Sequence, residues 1–318
     1  MRATRSRRSP ALRAAVRAGA AGAIGAAVAV PLLRRRLRIP APVTIFACAS
    51  GPLALAILYP RSRKRDVGLY ALQMWAFTVV HELPYDEPDR LQRRLRSRYP
   101  IVADRAIGLG RLPNARLQRG LARLPGVGVV DRFLTWVHWL WFLEPYAALI
   151  YILVRHPERF PRAARQLAAV FDVGCVGYFA VPTAPPWWAS EQGLTGEEVR
   201  RIMVGVGEKT WRNAWPRMYA TLGGNPWAAM PSLHFATSTI AAMSLSEAGR
   251  GPGAVGWSYA LTLGFALVYL GEHYVTDLLA GGALVAAVRR SEPLAEPTVE
   301  RINSGLRRLE RIANPPII

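Results

Sequence analysis

Long apolar stretches without a single charge dictate what this chain can become. Residues 43–59 (VTIFACASGPLALAILY) and 253–271 (GAVGWSYALTLGFALVYLG) carry no Asp, Glu, Lys, Arg or His. At about 1.5 Å of rise per helical residue, such runs approach the roughly 30 Å hydrocarbon core of a bilayer. Further apolar runs recur at 67–80, 133–154, 166–183, 234–249 and 274–288. One of them alone could be a buried helix of a soluble protein. The series predicts an all-α, polytopic membrane helix bundle with a six-span core, plus an N-terminal apolar segment and amphipathic interfacial helices. Charged residues make up 19% of the chain and are gathered in blocks between these runs.

The formal net charge is +20, almost all of it from arginine. A balance of this sign can indicate nucleic-acid binding. Here the arginines lie between apolar spans, where they attract anionic lipid headgroups and snorkel to the interface. Membrane lipids are therefore the expected partners, and nucleic acid is not. The two cysteines, Cys48 and Cys175, both fall in apolar stretches, with no Cys/His metal spacing. They read as buried free thiols.

The chain divides by composition into three parts. Residues 1–40 are a basic tail and an Ala/Gly-rich apolar segment, closed by RRRLR at 34–38. Residues 41–289 form the membrane domain, and 290–318 an amphipathic C-terminal tail. Within the membrane domain, residues 84–127 are a polar interlude with ten arginines among leucines. Leu91 and Leu95 share one helical face, as do Leu117 and Leu121, which predicts short helices lying at the membrane surface. A loop rich in Trp, Pro and Gly follows at 184–233. A sharp break is expected near 271–274, between two nearly continuous spans. In the tail, Val299, Ile302, Leu306, Leu309 and Ile312 form one helical stripe.

Ionisable residues inside membrane spans are costly and are functional candidates by default. Here they are His81, His138, Glu144, Asp172, His234, His273 and Asp277. His273 and Asp277 are four residues apart, on one face of a helix. A carboxylate there can accept the proton of one ring nitrogen and leave the other unprotonated and oriented, as a nucleophile or general base requires. A structural pair would look the same. His234 lies in AMPSLHF (229–235) at the start of a span, with Pro231 suited to a first helical turn and Ser232 able to donate to an anion. An antiparallel pair of helices joined by a short turn near 251–253 brings His234 and His273 to one membrane face.

NPWAAMPSLHF (225–235) and GEHYVTDLLAG (271–281) resemble the second and third motifs of the type 2 phosphatidic acid phosphatase superfamily. PSLH in place of the usual PSGH, and PTAPPWW (182–188), resemble its inositol phosphorylceramide synthase-like (Aur-type) branch. The resemblance covers about 165–289. It implies that His273 is the nucleophile, that Asp277 orients it, that His234 protonates the leaving oxygen and that Ser232 helps hold the phosphate. It implies no cofactor and no metal. Two departures stand out. The third motif usually carries an arginine six residues before its histidine, where this chain has Leu267, and the first motif, KxxxxxxRP, is absent as written. Lys209 and Arg217, in EKTWRNAWPR (208–217), are the candidate phosphate-binding cations.

The expected function is an integral membrane lipid-phosphate phosphatase or phosphotransferase working through a phosphohistidine. With water as acceptor it is a phosphatase; with an inositol or sugar alcohol it makes a phospholipid headgroup. The alternatives from other classes are a non-catalytic lipid-binding membrane protein and a haem protein using the membrane histidines. Arginines in the loop 155–165 and the tail favour a plasma-membrane protein with an extracytoplasmic active site, although the basic interlude would then share the active-site side.

Overall fold

The computed structural model describes residues 10–217 and 227–315. Its regular structure is helical throughout, joined by turns and two isolated β-bridges. The chain forms two compact units, Met1–Asp86 with Arg290–Ile318, and Glu87–Arg289.

The first unit is built on α1 (Pro10–Leu37), α2 (Ala41–Leu58) and α3 (Arg63–Glu82). Small residues set the contact between α1 and α2: a Cβ on Gly51 would lie 2.8 Å from that of Ala27. Trp75 donates its indole N–H to the Ala27 carbonyl, 2.9 Å away. Arg34 and Arg35 both reach Asp86, and Arg65 pairs with Glu310 at 3.0 Å. α1 and α2 are long and apolar enough to cross a membrane.

The second unit begins with three short helices, α4 (Pro88–Arg93), α5 (Arg98–Ile107) and α6 (Pro113–Leu121). The apolar run 133–154, expected as one span, is two helices, α7 (Val127–Leu140) and α8 (Glu144–Arg155), bent by 53° and forming one further candidate span if counted together. The cause is local. Residues 141–143 close i→i−3 bonds of a tight turn, and Pro145 disfavours helical geometry at the residue before it and restarts the helix in its first turn. α9 (Phe160–Ala180) follows, then α10 (Pro186–Glu191) and α11 (Ile202–Trp211) within the long loop.

α12 (Leu233–Ala248) is the centre of this unit. It is buried on nearly every side and packs against α8, α9 and α13 (Arg250–Tyr269). Its buried hydroxyls do not oppose this, because Thr237 and Ser244 donate to the carbonyls four residues back. α12 and α13 run antiparallel from a turn at Gly249 and approach closely: a Cβ on Gly256 would stand 2.8 Å from Ala242 Cα. The last helix, α14 (Val275–Ala313), begins here. Pro293 and Pro297 lie inside it.

Candidate active site

The site is made where α13 ends and α14 begins. Gly271 takes φ +81°, which lets the chain reverse. Its N–H bonds the Val268 carbonyl and that of Glu272 bonds Leu267, the paired closure that terminates many helices. His273 N–H also donates to Leu267. Leu267 itself is fully buried, so the position where the superfamily's third motif usually has arginine is an apolar core position in this chain.

α14 starts two residues later, and its free N–H groups have specific partners. The Asp277 carboxylate reaches back to Tyr274 N–H at 2.9 Å, in the manner of a capping box. The same Oδ2 lies 3.2 Å from His273 Nδ1. One carboxylate thus caps the helix and fixes the imidazole. With Nδ1–H directed at Asp277, His273 Nε2 carries a lone pair. Asp277 is fully buried, and among the described residues its Oδ1 has no partner.

His234 arrives from α12. Ser232 is the N-cap, accepting from Phe235 N–H at 3.3 Å, and Pro231 precedes the cap rather than sitting in the first turn. Ser232 is fully buried and keeps its own hydroxyl proton for a further acceptor. Its backbone N–H donates to the Asp277 carbonyl at 3.0 Å, so the two helix starts are joined directly. His234 Nδ1 lies 3.2 Å from His273 Nε2. Two imidazoles and a carboxylate therefore form one chain of contacts, Asp277–His273–His234, beside two helix N-termini that favour negative charge.

Aromatic rings surround His234. Trp141 sits 4.1 Å from it and His138 5.1 Å, centroid to centroid. Trp141 is held by a 2.8 Å bond to Thr237, and His138 Nδ1 lies 3.1 Å from Met203 sulfur. His138 is buried next to the pair. Glu144 accepts from Ser238 at 3.1 Å.

Lys209 and Arg217 are placed differently. Both are exposed, Lys209 near the end of α11 and Arg217 beyond the 3-10 turn Arg212–Ala214. Lys209 makes no hydrogen bond or ion pair among the described residues. The cation nearest in sequence contacts to the motif is one that composition did not single out. Arg201 grips Glu272, the residue before His273, at 2.8 and 3.0 Å, with its guanidinium 4.3 Å over the Trp187 ring.

The interlude 84–127 forms short helices, as expected, and buries more of its polar residues than its periodicity suggests. Leu117 and Leu121 do pack, against Leu134, Ala266, Tyr269 and Leu270. Its polar residues Asp104, Asn114 and Gln118 are buried as well. Asp104 accepts from Val275 N–H, Thr276 N–H and the Thr276 hydroxyl, each at 2.9 Å. Burial pushes the Asp104 carboxyl above its usual range, while the bonds from Thr276 and Val275 pull it back. Such side-chain-to-backbone bonds over long sequence separations leave no periodic trace.

Residues 101–289 match the model of the PAP2 superfamily. No curated protein and no solved structure matches the chain.

Proposed function

We propose that this chain, which belongs to the PAP2 superfamily, is an integral membrane enzyme that transfers the phosphoryl group of a lipid phosphate by way of a phosphohistidine on His273. Membership suggests a lipid-phosphate phosphatase or phosphotransferase, and the family is generally made of metal-independent phosphatases. The single observation that carries the residue assignment is the Asp277–His273–His234 chain of contacts at 3.2 Å each.

In this reading His273 Nε2 attacks phosphorus in line, with Asp277 holding Nδ1–H and stabilising the imidazolium character that develops. His234 protonates the departing alcohol, then acts as base for the acceptor. Ser232 and the first-turn amides supply electrostatic stabilisation to the equatorial oxygens. Lys209, Arg217 and Arg201 are the candidate cations in place of the missing first motif. The expected six-span core takes α7–α8, α9, α12, α13 and the start of α14 as five of its spans. The active site then faces away from the cytoplasm, in the plasma membrane.

The PSLH and PTAPPWW segments support the Aur-type branch, and with it an alcohol acceptor such as inositol or a sugar. The experiment is turnover of labelled phosphatidic acid by the purified protein, with and without inositol. Free phosphate alone identifies a phosphatase, and a new phosphodiester dependent on inositol identifies a phosphotransferase. Wild-type turnover by His273→Ala would sink the assignment. A non-catalytic lipid-binding role would show as binding without either product.

A further inference from the structure

Beyond its own backbone closure, the turn that carries His273 is held by three side chains from the interlude, more than 150 residues away in the chain. Asn114 donates both amide hydrogens to carbonyls of this turn, that of Val268 at 2.7 Å and that of His273 itself at 2.9 Å. Gln118 donates to Tyr269 and Arg200 carbonyls, each at 2.8 Å, and accepts from Arg200 N–H at 2.9 Å. Asp104 takes the first two N–H groups of α14 together with the Thr276 hydroxyl. All three side chains are buried, Asn114 and Asp104 completely.

The wiring of Asn114 is the informative part. Its Oδ1 is buried with no partner among the described residues. An unpaired buried acceptor is a cost to folding. The amide is turned so that both donors serve the catalytic turn, at the expense of its own oxygen. Backbone geometry at His273 decides where Nε2 points, and misplacement of a reacting atom by about 1 Å can cost a hundredfold in rate.

We propose that Asn114 and Asp104 are positioning residues, which clamp residues 268–276 from both sides and thereby aim His273 at the phosphorus. The inference rests on the reading of His273 as nucleophile. Asn114 bonds the carbonyl of His273, and Asp104 fixes the helix start that carries Asp277. Neither touches the substrate, so the loss of either lowers turnover without weakening substrate binding.

The test uses full-length protein in detergent micelles containing dioleoyl phosphatidic acid, with kcat, KM and ³²P capture on histidine measured for each variant. Asn114→Ala is expected to lower kcat by at least about tenfold with KM within about twofold, and to lower the captured ³²P in proportion. Asn114→Ser, keeping one donor, is expected to fall between. Thr276→Val removes one of Asp104's donors at nearly constant volume, retains the fold, and is expected to lower kcat severalfold at unchanged KM. If Asn114→Ala is not recovered folded, the Ser and Val variants decide alone. A folded Asn114 variant and Thr276→Val both at wild-type kcat, or a loss confined to KM, would overturn the proposal. His273→Ala runs alongside: if it too retains wild-type turnover, the nucleophile assignment fails, whereas an inactive His273→Ala beside fully active clamp variants defeats only the clamp.

Discussion

The backbone N–H of Ser232 donates to the carbonyl of Asp277 across 3.0 Å. This bond ties the start of the helix bearing His234 to the start of the helix bearing Asp277. Two sequence motifs separated by some forty residues meet as neighbours because each lies at the first turn of its helix, and because the turn at Gly249 returns α13 beside α12. The geometry of the imidazole pair is thus set by main chain as well as side chain.

Asp277→Asn should lower turnover of phosphatidic acid by about a hundredfold or more. The amide keeps the shape but can present its N–H₂ to His273 Nδ1, which favours the wrong tautomer and leaves no lone pair at Nε2. Phosphate release and ³²P capture on histidine should fall together. Near wild-type capture would exclude Asp277 from orienting the nucleophile.

Ser232→Ala removes the cap of α12 and should cost about 0.5–2 kcal/mol of stability. If the hydroxyl also holds phosphate, KM rises in addition. Thermal unfolding and steady-state kinetics on the same preparation separate the two effects, and a stability loss with unchanged kinetics would limit Ser232 to capping.

His273, Asp277 and His234 were legible in the sequence for simple reasons. HxxxD spacing puts the pair within side-chain reach, although His273 lies just before the helix that carries Asp277 and not on it, and one short turn between two apolar runs forces their far ends together. The break at 271–274 was legible from Gly271 and from the excess length of the apolar run. Other features were hidden by stronger patterns. Leu117 and Leu121 dominate the periodicity around Gln118, so the interlude reads as a surface helix although its amides point inward. Pro145 lies within a long and mostly apolar stretch, so the bend between α7 and α8 reads as one span. Arg201 is one of many arginines, and only coordinates show that Glu272 and Trp187 hold it.

Gly271→Ala should destabilise the protein by about 1–3 kcal/mol and impair activity with it. The residue sits at φ +81°, and a Cβ would stand 2.6 Å from the Arg200 carbonyl oxygen. A melting temperature equal to wild type would mean the turn can relax without loss.

Arg201→Met should be destabilising, by about 1–3 kcal/mol, since it leaves the charged and partly buried Glu272 without its partner. The double variant Arg201→Met with Glu272→Gln should recover much of that loss. A double-mutant cycle on thermal or denaturant unfolding reads the coupling directly, and additive effects would contradict a buried pair.

Asp104 should give stability a measurable pH dependence. Its native value is raised above the usual carboxylate range by burial. The folded state therefore binds the proton more tightly than the unfolded one. Its contribution is fully present below about pH 4 and is lost as pH rises through the raised native value. The melting temperature of wild type relative to Asp104→Asn should accordingly fall across that window. A difference that grows with pH would reverse the sign.

The 3.2 Å approach of the two imidazoles has a consequence for the molecule between turnovers. No phosphorus atom fits in that space, so the rings must part before a bond to nitrogen can form. With the His234 Nδ1–H directed at it, the His273 Nε2 lone pair is occupied. In the proposed mechanism, an ester oxygen that takes this hydrogen from His234 also frees the nitrogen that attacks, which couples substrate arrival to exposure of the nucleophile.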